Sequence, residues 1–329
     1  AIVLVVLGHA KGIPHAFTIL VYSFHVPLFF FLSGWVGAAY GSPRSAAATW
    51  SKLVRTLLVP YVCFFLLGYA YWLMTRGIGE KAARWGDRPW WEPLVGLVRG
   101  SGPDLYVQPA LWFLPALFVT TLAFFYLRRL LAPAWLALAA GVAAWLWILG
   151  FPPLQQRLPF ALDVLPVSLF FFAAGALLAG RDRLLPTSAR GNLIALAVLA
   201  LPWLVIAWRN DRVDVNLLVF GHSPAAFFAA ALLGTLMALC AGRLIQHLPG
   251  VQWIGRNTLL ILCTHLLVFF VLSGVMALAG GFGPGGPGAG WAVFVLAAAL
   301  AASVPLRWIL MRWAPWALGA RAVPRTASA

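Results

Sequence analysis

The apolar run from Phe17 to Tyr40, FTILVYSFHVPLFFFLSGWVGAAY, is long enough to cross a bilayer as a helix, yet it carries His25 two residues before a proline. An ionisable residue in such a run needs a polar partner. Pro27 provides for one, because it has no amide hydrogen and its ring pushes on the carbonyl of Ser23. The expectation is a bent helix with free backbone acceptors within a turn of His25, and so a polar pocket inside lipid. The segment before it ends in Gly8-His9, and Lys11 and His15 follow in the connection. The first helical hairpin thus gathers three of the six histidines, and it is the candidate active site.

Composition enters to fix the class of protein around that hairpin. Of 329 residues 63% are hydrophobic and 9% charged, with a mean hydropathy of +0.91, outside the balance of a soluble globular domain. Further apolar runs of bilayer length recur along the chain. The spans expected are 1–10, 17–40, 53–74, 110–130, 134–150, 164–180, 193–208, 225–240, 259–278 and 291–311. This is an all-α, polytopic transmembrane bundle of about ten helices, in a single integral membrane domain over 1–329. Ala1-Ile2-Val3-Leu4 reads as the continuation of a helix already begun, so the first helix is expected to be truncated. Cys63, Cys240 and Cys263 are an odd number in apolar runs, where a thiol acts as a small hydrophobe; they imply neither disulfide framework nor metal site. Gly280 to Gly290 lacks the Lys-Ser/Thr ending of a phosphate loop and is read as a flexible turn.

Orientation follows from the cations, since cytoplasmic loops carry the excess of Lys and Arg. Alternate loops place Arg44, Lys52, Arg55, Arg128, Arg129, Arg181, Arg183, Arg190, Arg243, Arg256, Arg307, Arg312, Arg321 and Arg325 on one side, fourteen of the 23. Both termini are therefore expected in the cytoplasm, in the inner or plasma membrane. The net charge of +15 is a topology signal first and an attraction to anionic membrane lipids second. Nucleic acid is not an expected partner, with so little soluble surface to bind it.

With that orientation the polar residues sort by side. His9 lies near the outer end of the first helix, and His25 about eight residues, or roughly 12 Å, into the second from the same face. His265 stands at mid-depth in NTLLILCTH. Trp112 in LWFLPALF, Asp163 in LPFALD, and Asp214 with Asn216 and His222 face them from outer connections. On the cytoplasmic edge Lys52 and Arg55 precede LLVPY in a basic stripe suited to phosphate. His15, His222 and His247 are read as interfacial polar residues.

In order along the chain, VVLGHA, YSFHVPLFFFLSGW, KLVRTLLVPY, LWFLPALF, LPFALDVLPVSLFFFAAG and IGRNTLLILCTHLL resemble the acyltransferase 3 family of integral membrane O-acyltransferases, especially its fucose 4-O-acetylase-like branch. The resemblance implies an O-acetyltransferase that takes an acyl group from cytoplasmic acetyl-CoA and places it on a hydroxyl of a surface or secreted glycan or a lipid-linked carbohydrate. It implies that His9 is the family's essential histidine and His25 its second, and that Lys52 and Arg55 face the CoA phosphates. Trp112, Asp163, Asp214 and His265 are the candidate substrate-binding residues. The family pairs its first-helix histidine with an arginine or lysine eleven residues earlier, a position that falls upstream of Ala1.

The chemistry agrees with the residue types. Acyl transfer from a thioester to a hydroxyl requires a base of near-neutral pKa and donors for the developing oxyanion, and histidine is the natural base. Direct attack assisted by His9 and a covalent acyl-histidine relay both remain open. A transporter of a glycan or lipid is the alternative reading, since it too would place histidines and arginines along a wet path in the membrane.

Overall fold

The computed structural model describes residues 1–41, 45–78, 80–181, 185–282 and 286–320. Arg44, Arg183, Arg321 and Arg325, used above for orientation, lie outside the described residues, as do residues 283–285 of the glycine-rich turn.

The chain opens with α1 (Ile2–Gly8), α2 (His15–Tyr22) and α3 (His25–Tyr40). Then α4 (Ala46–Leu53), a π-helical turn (Val54–Leu58) and α5 (Val59–Thr75) run on as one 30-residue helical stretch. Two short helices, α6 (Glu80–Trp85) and α7 (Glu92–Arg99), and 3-10 turns at Gly102–Leu105 and Pro109–Trp112 lead to α8 (Phe113–Leu127) and α9 (Pro133–Gly150). A 3-10 segment at Pro159–Val164 enters α10 (Leu165–Leu178), and α11 (Ala189–Asn210) follows. A small antiparallel hairpin, β1 (Val213–Asp214) and β2 (Val219–Phe220), precedes α12 (Pro224–Ile245), α13 (Pro249–Arg256), α14 (Thr258–Leu278) and α15 (Ala289–Trp313). Among the described residues nine helical stretches are long and apolar enough to cross a membrane, and they correspond to the second through tenth expected spans. The first expected span appears as the 7-residue α1. The fold is a helical bundle of a multi-pass membrane protein.

The Phe17 to Tyr40 run is not one bent helix. It breaks outright between α2 and α3, where Phe24 leaves the helical region with φ −144°. The break places Pro27 at the third residue of a new helix, a position whose amide has no intrahelical acceptor, so its missing N–H costs nothing. Distant parts of the chain hold the break in place. The Trp203 indole donates to Ser23 Oγ at 3.2 Å, and its ring meets Phe24 edge-on at 5.6 Å. Gly234 of α12 leaves the space that Phe24 fills, since a Cβ there would meet the Phe24 ring at 2.5 Å.

α3 is seated against α10 by two reciprocal glycines. A Cβ on Gly34 would overlap the Phe172 carbonyl, and one on Gly175 would overlap the Phe31 carbonyl. Small residues at such a crossing let two backbones approach closely, which is how helices gain packing energy where lipid is as apolar as the side chains. Beside it Thr120 of α8 and Ser168 of α10 share a buried hydroxyl contact of 2.7 Å. Replacing Gly175 by Ala pushes α3 and α10 apart and should destabilise the fold by about 1–3 kcal/mol, the usual cost of overpacking. Thermal unfolding of the detergent-solubilised variant beside the parent checks this, with a lowered Tm expected.

Candidate active site

Parts of the chain that are far apart in sequence close around one small cavity. α1 and its C-cap contribute Val5 and His9, and the α2–α3 break contributes Tyr22, His25, Val26 and Phe29. The turn into α8 adds Ala110, Trp112 and Phe113; the hairpin adds Asp214, Val215 and Asn216; and Leu262 of α14 completes the wall. The two histidines of the first hairpin, the tryptophan of LWFLPALF and the hairpin aspartate therefore share one space, as expected from sequence.

The break explains how His25 is held. In a continuous helix the Val21 carbonyl would accept the His25 amide; here it accepts the Phe24 amide at 3.3 Å and the His25 ring nitrogen Nδ1 at 2.9 Å. A carbonyl only accepts, so Nδ1 carries the proton, and in the neutral ring Nε2 keeps its lone pair. The side chain is 5% exposed and meets Tyr22 edge-on at 4.6 Å. Tyr22 is a cavity residue that the sequence reading missed. Its hydroxyl donates to the Gly8 carbonyl at 3.2 Å, which ties α2 to the end of α1 just before His9. Gly8 makes room for that contact, since a Cβ there would meet the Tyr22 ring at 3.0 Å.

Asp214 is fixed by the hairpin. Its carboxylate accepts from the Leu217 amide at 3.3 Å and from Arg212 at 3.3 Å, and its side chain is 13% exposed. Burial pushes the carboxyl up from its ordinary pKa, and the Leu217 amide and Arg212 offset part of that rise. Asn210, at the end of α11, clamps the hairpin base. Its Nδ2 donates to the Phe220 carbonyl at 3.0 Å, its Oδ1 accepts from the Ser223 amide at 3.0 Å, and its own carbonyl accepts from the His222 amide at 3.0 Å. On the other side, the Asn216 amide packs against Gly102, in the space a Cβ there would occupy.

The remaining candidate residues stand elsewhere. Asp163 is fully buried and does not line the cavity. Its carboxylate pairs with Arg157 at 2.5 Å and accepts the Leu158 amide at 3.2 Å, while the Trp147 indole donates to its carbonyl at 2.8 Å. It holds the 155–164 segment, where Phe160 and Ala161 both adopt positive φ. His265 stands behind His9, with ring centroids 5.4 Å apart, and is absent from the lining. His222 is exposed beside Asp211, at 3.9 Å.

Lys52 lies in the last turn of α4 and Arg55 in the π-helical turn, and neither lines the cavity. Trp50 of α4 donates to the Tyr126 hydroxyl at 3.0 Å and packs on Phe118 at 5.5 Å, whereas the first residue of α8, Phe113, lines the cavity. Thirteen residues of α8 separate Phe113 from Tyr126, which is about 20 Å of helix. The turn bearing Arg55 packs on α8, and Arg55 Nε is buried without a hydrogen-bond partner. Among the described residues no three His, Cys, Asp or Glu come together as a ligand set for a metal ion.

A family model described as an acyltransferase domain matches residues 1–308. No curated protein and no solved structure matches the chain.

The Asn210 clamp yields a test of how the hairpin is held. In Asn210→Ala the Phe220 carbonyl and the Ser223 amide lose their partners, at a cost of about 1–3 kcal/mol. Amide hydrogen exchange across residues 213–223 should then quicken by about tenfold or more, with exchange in α3 and α10 unchanged. Mass spectrometry of the exchanged, digested protein reads both regions at once.

Proposed function

The chain belongs to the acyltransferase 3 family, and on that premise we propose that it is a membrane O-acyltransferase moving an acetyl group from acetyl-CoA to a hydroxyl of a carbohydrate acceptor. The observation that carries this reading is the convergence of His9, His25, Trp112 and Asp214 on one cavity. A glycan or lipid-linked sugar is the acceptor class, because such a ligand presents several hydroxyls to a wall holding a carboxylate, an amide and an imidazole. The membrane is the inner or plasma membrane, with both termini cytoplasmic, the donor entering from the cytoplasm and the acceptor from the hairpin end.

In this reading His9 is the general base. It takes the proton of the acceptor hydroxyl as the oxygen attacks the thioester carbonyl; when the tetrahedral intermediate collapses, the C–S bond breaks and His9 returns the proton to the CoA thiolate. His25 presents a lone pair at Nε2, which suits accepting from the acceptor hydroxyl rather than donating to an oxyanion. The Trp112 indole N–H is a donor only, and it fits the oxyanion role. Asp214 accepts from neighbouring hydroxyls of the sugar. Lys52 and Arg55 hold the CoA phosphates, with the pantetheine arm lying along α8 towards Phe113.

Purified protein in nanodiscs, given radiolabelled acetyl-CoA and candidate carbohydrate acceptors, tests the proposal. His9→Ala should lower turnover by about 10²- to 10⁴-fold, the span attributable to a general base. Stable label on the protein would favour the acyl-histidine relay. If the parent neither binds nor turns over acyl-CoA while glycan or lipid export depends on it, the transporter reading replaces this one. Asp214→Asn should raise KM for the acceptor while leaving thioester hydrolysis without acceptor within about twofold, since it keeps the hydrogen-bonding shape and loses the charge.

A further inference from the structure

His265 is a buried histidine that the mechanism above leaves idle. α14 packs against α1, and at their contact His265 is 1% exposed. Its Nδ1 donates to the Ile261 carbonyl at 2.9 Å, the same arrangement that holds His25 on Val21. The carbonyl accepts, so Nδ1 bears the proton and the neutral ring offers only a lone pair at Nε2. That atom is buried and has no hydrogen-bond partner, a state native folds rarely leave unexplained. Two rings adjoin it. Phe269 meets it edge-on at 5.8 Å and has nothing to donate, whereas His9 stands at 5.4 Å with the ring planes tilted by 38°. Imidazole rings whose centroids lie 5.4 Å apart bring facing nitrogens to about 3 Å, a hydrogen-bond length, once they turn edge to edge; here the rings are tilted and no hydrogen bond joins them. Leu262, one turn earlier on the same helix, lines the cavity, but His265 does not.

We propose that His265 is a positioning residue for His9: its Nε2 accepts the His9 ring N–H on the side away from the cavity, which leaves the other His9 nitrogen with its lone pair facing the substrate. The inference rests on the reading of His9 as the base. It assigns His265 the place of the third group that orients a base and fixes its tautomer, filled here by a neutral acceptor instead of a carboxylate. It also removes His265 from the substrate-binding set, since it acts through His9 and touches no substrate. When His9 takes the acceptor proton, the N–H shared with His265 stays in place and the imidazolium keeps a partner.

The test uses the full chain in nanodiscs with His265→Gln, His265→Leu and His265→Asn. Gln carries an amide oxygen to about the position of Nε2, Asn falls short of it, and Leu offers no acceptor. Nitrogen-15 NMR of histidine-labelled protein, assigned with His9→Ala, reads the tautomer of His9 without any turnover. A single neutral tautomer is expected in the parent and in His265→Gln, and a mixture in His265→Leu and His265→Asn. In kinetics, His265→Leu should lose at least about tenfold in kcat, less than the ~10⁴-fold lost when a charged orienting carboxylate is replaced. KM for both substrates should stay within about twofold, and His265→Gln should recover most of kcat.

Equal impairment of Gln and Leu, an unchanged His9 tautomer in Leu, or an effect confined to acceptor KM each overturns the proposal. Should His265→Leu fail to fold, the contrast between Gln and Asn decides, and equal behaviour of those two overturns it. A tautomer shift in a protein with no acyl transfer leaves the positioning intact and sinks the acyltransferase reading. His9-dependent transfer with no tautomer shift does the reverse.

Discussion

A backbone carbonyl inside an apolar bundle has to find a donor, and the site is organised by how one such group, the Val21 carbonyl, finds its own. The proline two residues after His25 makes a continuous helix costly, so the chain breaks at Phe24 and the His25 ring takes up the acceptor that the helix leaves. That single bond fixes the tautomer of His25 and turns its remaining nitrogen outward. Everything that holds the break is remote in sequence: Trp203 on Ser23, Gly234 beneath Phe24, and the glycine crossing that seats α3 on α10. The histidine is rigid because three later helices make it so.

The same economy recurs on α14, where His265 repeats the bond to the carbonyl four residues earlier and its ring lies 5.4 Å from that of His9. Around these two rings the bundle has distinct ends. The hairpin, held by Asn210, brings a carboxylate to one side of the cavity. α8 runs from the cavity wall at Phe113 to Tyr126, which Trp50 meets, and the turn carrying Arg55 packs on the same helix. One cavity walled by two imidazoles, an indole and a carboxylate, with Lys52 and Arg55 on an element that packs on the helix leading away from it, is the arrangement from which the proposed transfer is drawn.

Much of this was legible in the sequence because lipid makes polar residues conspicuous. His9, His25 and Trp112 stand out in apolar runs, and Asp214 stands out among the few acids, so their meeting could be expected. The nature of the interruption at His25 was not legible, because the choice between a bend and a break depends on Trp203 and Gly234, about 180 and 210 residues away. Tyr22 passed as another aromatic of an apolar run, its hydroxyl tied to a backbone atom that no pattern marks. Asp163 was placed with the site by its side of the membrane, yet Arg157 six residues earlier claims its carboxylate. His265 was legible as buried and near, but which way its free nitrogen turns follows from helix packing alone.

The proposed transfer requires that donor and acceptor meet in the cavity beside His9. Cryo-electron microscopy of the protein in nanodiscs with a non-hydrolysable acetyl-CoA analogue tests this most directly. The acyl carbonyl is expected within hydrogen-bonding reach of Trp112 and beside His9, with the pantetheine arm along α8 and the phosphates near Lys52 and Arg55. An analogue bound with its acyl group elsewhere, leaving the cavity between His9 and His25 without it, would contradict the account.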